Sequence, residues 1–161
     1  MIPLMVIDMQ SSFLDYCAPD YITPVIEQVV HQVRLAIRRK APILIVEFRS
    51  SGCTIPAITT LVEPYKLVHT VIKSQMDVTS ALPKKCQRLI QKASRLRVCG
   101  LYTEDCVCAS VIGLLGKFRT LQIDLIKSAC GANHPTVEEY EFMWVKSQGA
   151  PYQGRINLIE K

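Results

Sequence analysis

Cys106 lies where an apolar run gives way to a helical one, in Leu96-Arg97-Val98-Cys99-Gly100-Leu101-Tyr102-Thr103-Glu104-Asp105-Cys106-Val107. Backbone N–H groups and the positive end of a helix dipole favour thiolate over thiol, and the thiolate is the nucleophile. Asp8 closes the apolar run Leu4-Met5-Val6-Ile7, and Lys73 closes Leu67-Val68-His69-Thr70-Val71-Ile72. A carboxylate beside the thiol could take its proton and later pass it to a leaving amine. An ammonium buried against that carboxylate would keep it ionised and favour thiolate. Each residue alone also fits a plainer role: Asp8 a loop carboxylate, Lys73 a surface lysine, Cys106 a buried structural thiol. Together, at three strand ends, they suggest one active site for covalent catalysis. On this reading Cys106 alkylates faster than the other cysteines near neutral pH.

The elements that must position these residues alternate along the chain. Ile2–Ile7 reads as a buried strand. Pro24–Arg39 reads as a helix with Thr23 as N-cap, Pro24 in its first turn, and Val25, Val29, Val33 and Ile37 on one apolar face. Pro42–Phe48 is the second strand, and a loop with a short helix covers residues 49–63. Tyr65–Ile72 is the third strand, Pro83–Ala93 a helix, Leu96–Leu101 the fourth strand, Cys106–Lys117 a mostly buried helix and Thr120–Ile126 the fifth strand. Pro135–Ser147 reads as an amphipathic helix ended by Gly149, and Arg155–Ile159 as a last short strand or a subunit-contact tail. Continuous apolar strands between helices imply one domain over residues 1–161, a three-layer α/β/α fold with a mostly parallel, Rossmann-like central sheet. In such sheets ligands bind beyond the carboxyl ends of the strands, near the switch in strand order. Asp8, Lys73 and the Cys106 turn all meet that condition.

Composition sets limits on partners. The chain has 161 residues, 49% of them hydrophobic, enough to bury roughly 70% of its unfolded surface. Its apolar runs fall well short of the ~20 residues of a membrane span, and no signal-peptide layout is visible. The expectation is a soluble, cytoplasmic protein with no membrane partner. Seven cysteines, at 17, 53, 86, 99, 106, 108 and 130, make an odd set without C-x-x-C spacing, which argues against a disulfide framework or a zinc ribbon. The formal charge of +5 comes largely from Arg38-Arg39-Lys40 and from Lys84, Lys85, Arg88, Lys92, Arg95 and Arg97. No aromatic residues interleave with these charges, so the reading is a solvated face and no nucleic-acid partner.

The segments around the three residues resemble the cysteine hydrolases of the isochorismatase-like superfamily, which includes nicotinamidases. Leu4-Met5-Val6-Ile7-Asp8-Met9-Gln10-Ser11-Ser12-Phe13 is similar to the opening strand of that family, Val71-Ile72-Lys73-Ser74 to its lysine segment, and Gly100-Leu101-Tyr102-Thr103-Glu104-Asp105-Cys106-Val107 to its nucleophile turn. The resemblance implies that Asp8 is the base, Lys73 the electrostatic partner and Cys106 the nucleophile. It also implies a cis peptide at Leu101–Tyr102, with backbone N–H groups there and at Cys106 holding an oxyanion. Phe13, Arg49, Cys53, Met76 and Tyr102 are expected pocket walls, and Arg49 is either a solvated loop arginine or a guanidinium that reads a substrate carboxylate through its planar fork. Nicotinamidases hold a metal through Asp-x-His and a further His. Here the second strand ends Glu47-Phe48-Arg49-Ser50-Ser51-Gly52-Cys53, and His31, His69 and His134 do not cluster, so neither metal nor other cofactor is expected. The family's Asp-Ala-Cys after the fifth strand reads Ser128-Ala129-Cys130. The expectation is therefore a metal-independent hydrolase of a small amide or related C–N bond, acting through an acyl-enzyme on Cys106. Members are commonly oligomers, so a homo-oligomer (dimer or tetramer) is expected, with Ile156-Asn157-Leu158-Ile159 or the helices beside it at its contacts. The alternatives are a vinyl ether hydrolase of the isochorismatase type and a non-catalytic binding protein on the same scaffold.

Overall fold

A computed structural model describes residues 1–133, 149–152 and 154–160. The expected helix over Pro135–Ser147 and the imidazole of His134 lie outside these described residues.

The strands β1 (Leu4–Ile7), β2 (Ile43–Phe48), β3 (Val68–Lys73), β4 (Arg95–Leu101), β5 (Gln122–Gly131) and β6 (Ile156–Ile159) form one six-stranded sheet in the order β3-β2-β1-β4-β5-β6. Every pairing is parallel. β1 and the first four residues of β2 are apolar because both of their faces are covered: all of β1 and Ile43–Val46 of β2 are buried. The chain steps from β1 to β2 and β3 on one side, then crosses to β4 on the other. The switch in strand order therefore falls between β1 and β4, whose carboxyl ends carry Asp8 and the Cys106 turn.

The helices are α1 (Ser11–Leu14), α2 (Pro19–Arg38), α3 (Pro56–Val62), α4 (Lys84–Ala93) and α5 (Cys108–Lys117). Helix α2 starts earlier than its pattern predicts. Ala18, not Thr23, is its N-cap, Pro19 takes the first turn, and Pro24 lies inside the helix. Pro19 presets the first turn and Asp20 suits the helix dipole. Ile22 and Val25 then extend the buried face toward Gly131 of β5, and that burial offsets the donor lost at Pro24. Strand β5 also outruns its pattern. A register shift between Val98 and Gly100 lets Gly100 pair with Cys130 and Leu101 with Gly131, so pairing continues past the polar interruption at Lys127 and Ser128. Ile156–Ile159 is a strand on the sheet edge, paired to β5, with Leu158 exposed.

Gly100 has φ +125°, and a Cβ placed there would lie 2.0 Å from the carbonyl oxygen of Ile7. Only glycine lets β4 pass this close to the end of β1. That approach brings the turn after β4 to the residue after β1. Among the described residues no helix is long and apolar enough to cross a membrane.

Candidate active site

Asp8 is the first residue after β1. Its N–H donates to Val46 O at 2.9 Å, and its φ of 53° is left-handed, a conformation Asp tolerates better than most residues. Lys73 is the last residue of β3, and its carbonyl accepts from the N–H of Arg49 at 2.8 Å. Cys106 lies in a π-helical turn, Thr103–Val107, that leads into α5. The N–H groups of Asp105 and Val107 both donate to Tyr102 O at 3.1 Å and fix the turn. The structure brings the three side chains together. Lys73 Nζ is 2.8 Å from Asp8 Oδ2, donates to Cys106 Sγ at 3.0 Å and stands 4.8 Å from the centroid of the Phe48 ring. Asp8 and Lys73 are 1% exposed and Cys106 8%.

In so dry a site each charge depends on its partner. Burial pushes the Asp8 carboxyl above its ordinary value, and the Lys73 ammonium opposes that rise. Burial and then the charge of Asp8 push the Cys106 thiol up to about 12, while the hydrogen bond from Lys73 works the other way. The balance of these influences favours the thiol over the thiolate, the opposite direction to the pull of a helix start. Desolvation and the Asp8 carboxylate outrank the hydrogen bond and the charge of Lys73 among them. Asp8 is held chiefly by its ion pair with Lys73, and the Lys73 and Cys106 side chains also act on it as hydrogen-bond donors. It keeps lone pairs free to receive a proton.

Of the expected walls, Phe13 and Tyr102 meet edge to face at 5.8 Å, and Phe13 meets Phe48 in the same way at 6.3 Å. The Tyr102 hydroxyl donates to Phe13 O, and Cys17 Sγ lies 4.0 Å from that hydroxyl. The Leu101–Tyr102 peptide is cis. Arg49, Cys53 and Met76 are exposed. Arg49 reaches the site through its backbone contact with Lys73, and no side-chain contact among the described residues draws Cys53 or Met76 to the triad.

Sequence reasoning gave Gln10 no role, yet it is fully buried. Its Nε2 donates to the carbonyls of Phe48 and Gly52, and its Oε1 accepts from Phe48 N–H at 2.7 Å. It thus clamps the loop that carries Arg49. The available signal was weak, a polar residue two after Asp8 and directly before Ser11-Ser12. Thr103 was also passed over. It is fully buried beside the turn, and its hydroxyl has no partner among the described residues.

The residues present do not fit the nicotinamidase metal set. The loop after β2 offers Arg49, Ser50, Ser51 and Cys53, and Gln10 already occupies its Phe48 and Gly52 carbonyls. His31 lies on α2 and His69 on β3. No group of three or more His, Cys, Asp or Glu among the described residues could hold a metal ion. Ser128, where the family has Asp, donates to Glu160 O and ties β5 to the tail instead.

No protein-family model matches the chain, and no curated protein does. Solved structures match closely in shape. A ribonuclease, MAR1, from Caenorhabditis elegans has a TM-score of 0.80 at 17% identity, over 98% of this chain and 76% of that one. A nicotinamidase from Bacillus subtilis has a TM-score of 0.77 at 14% identity, over 98% of each chain. An N-carbamoylsarcosine amidase from Thermoplasma acidophilum has a TM-score of 0.75 at 14% identity, over 99% of this chain and 96% of that one. The likeness establishes the fold that the chain shares with these proteins: an α/β/α sandwich around a parallel sheet.

Proposed function

We propose that the protein is a metal-independent cysteine hydrolase that cleaves a small amide or related C–N bond. The observation that carries this reading is a single dry ammonium, Lys73 Nζ, between Asp8 Oδ2 at 2.8 Å and Cys106 Sγ at 3.0 Å. Two of the structural neighbours are amidases by name, which supports the same class.

Cys106 Sγ attacks the amide carbon as its proton passes to Asp8, and the C=O electron pair moves to oxygen. Backbone N–H groups at Tyr102 and Cys106 hold the resulting oxyanion. The C–N bond then breaks, and the proton on Asp8 leaves with the nitrogen as amine or ammonia. Water adds to the thioester and gives a proton to Asp8. The C–S bond breaks, the carboxylic acid departs, and Cys106 regains the proton. Lys73 steadies the carboxylate when Asp8 is ionised and the sulfur while its bond to hydrogen is breaking. Phe13, Phe48 and Tyr102 wall the pocket, and Arg49 binds an acidic group on the substrate. The functional protein is a cytoplasmic homo-oligomer. Light scattering at micromolar concentration should return a multiple of the chain mass, and monomer mass alone would remove the oligomer from this proposal.

The test is ammonia release from a panel of small amides, with and without a chelator. The wild type should turn over at least one amide equally well in both conditions, and Cys106→Ala should lose about three orders of magnitude or more. Silence across the panel, or a Cys106→Ala protein that keeps its rate, would overturn the reading.

A further inference from the structure

A cavity of about 270 Å³ lies at the opposite end of the sheet, where the strands begin. Leu4, Leu35 and Ala36 form apolar wall, while Gln32, Arg39 and Arg97 bring polar groups to it. Leu4 opens β1 and pairs in register with Arg97 of β4, and the other residues come from the last turns of α2 and the residue after it. The site therefore shares no residue with the Asp8–Lys73–Cys106 cluster.

Gln32 is 1% exposed, and neither its Oε1 nor its Nε2 has a hydrogen-bond partner among the described residues. Such a residue is costly to keep, because a buried amide normally finds partners. The two guanidiniums are also uncommitted: no ion pair or side-chain hydrogen bond engages Arg39 or Arg97 among the described residues. The carboxylate whose charge Arg97 feels, Asp124, is held by Arg95 through two bonds of 2.8 Å. Burial and the charge of Arg39 disfavour the charged form of Arg97, a tension that an anion between them would relieve. An unsatisfied amide, two unpaired guanidiniums and an apolar wall converge on one space.

We propose that this cavity is a binding site for a small aliphatic anion, its carboxylate or phosphate head held by Arg97, Arg39 and the Gln32 amide and its tail lying on Leu4, Leu35 and Ala36. The volume equals roughly nine waters at ~30 Å³ each, which suits a medium-length chain.

Calorimetry and magnetic resonance on the full, isotope-labelled chain test this with octanoate and octyl phosphate. Octanol, which lacks the charge, and acetate, which lacks the tail, serve as controls. Both anions should bind saturably and shift the Gln32 side-chain amide, with no shift at Asp8 or Cys106. The tighter of the two names the head group. Arg97→Gln should weaken binding about tenfold or more. Arg39→Gln, at the exposed rim, gives the same test with a smaller loss should Arg97→Gln not fold. Gln32→Met should weaken binding several-fold yet raise the melting temperature of the ligand-free protein, because it removes an unpaired buried amide. A merely structural Gln32 would do the opposite. Octanol binding as tightly as octanoate, no saturable shift, or shifts centred on Cys106 would each overturn the site.

Discussion

Two ion pairs in this protein have the same length and opposite designs. Lys73–Asp8 and Arg95–Asp124 both measure 2.8 Å, but the first pair is 0% and 1% exposed and the second 43% and 6%. Asp124 is saturated. Arg95 donates to both of its oxygens, and Asn157 Nδ2 adds a bond of 2.9 Å. Asp8 has, among the described residues, the Lys73 ammonium and the Cys106 side chain as its partners. A half-exposed pair of this kind contributes little to stability, and a dry pair carries a desolvation cost that its attraction only partly repays. Distance alone does not tell a strut from a reactive group. What separates them is whether the carboxylate has lone pairs left and whether water can supply the proton instead.

Removing one cation from each pair gives the largest contrast. Lys73→Met leaves a buried carboxylate alone, so it should cost about 3–5 kcal/mol of stability and abolish amide turnover. Arg95→Met should keep the activity. Equal melting shifts for the two variants would collapse the distinction. The pH dependence comes next. The folded-state pKa of Asp8 is raised above its ordinary 3.8, so the acid limb of kcat/KM should lie above the usual carboxylate range. The same shift means that its ionisation opposes folding, and this contribution to stability is lost as pH rises through the folded pKa. Arg95→Met should leave that limb in place, and a limb near the ordinary value would place the base elsewhere.

Thiol chemistry gives a smaller effect. The Cys106 thiol is raised from 9.0 to about 12, so the stability it contributes is complete below the unfolded value and fades as pH rises toward the folded one. Cys99 is raised to about 12 as well. Cys106→Ala should therefore remove only part of the alkaline loss seen in denaturant melts. At neutral pH, brief iodoacetamide treatment should label the exposed Cys53 before Cys106. The reverse order would restore the thiolate reading. The smallest change is expected from Asn157→Ala, which removes one of three bonds to Asp124. It should lower the melting point slightly and leave every pH limb unmoved.

The parts of this site that could be read from the sequence were those that depend on pattern. A strand buried on both faces shows as an unbroken apolar run, so the Asp8 that ends β1 stands out. Lys73 ends a half-exposed edge strand and Cys106 lies in the turn after β4, and both were legible from their segments. The start of α2 was hidden because Thr23-Pro24 imitates a cap, while the burial that carries the helix back to Pro19 is a tertiary effect. The extension of β5 rests on a register shift at Val98–Gly100, which no residue type announces. The direction in which folding moves the Cys106 thiol was hidden for a related reason. Helix position and a lysine can be read along the chain, whereas desolvation and the approach of Asp8 exist only after folding. Gln10 lay inside a quoted segment, but its partners, Phe48 and Gly52, are about forty residues away.

Among the described residues Lys73 stands on the outermost strand on its side, β3, which is hydrogen-bonded to β2 alone. Edge strands fray before the middle of a sheet does. Warming should therefore loosen the ammonium from Asp8 and Cys106 while β1, β2 and β4 stay zipped. Heat inactivation should precede the loss of far-ultraviolet circular dichroism, and the amides of β3 should exchange with solvent sooner than those of β1. The reactive end of the molecule would then have a working temperature range of its own, narrower than that of the fold that carries it.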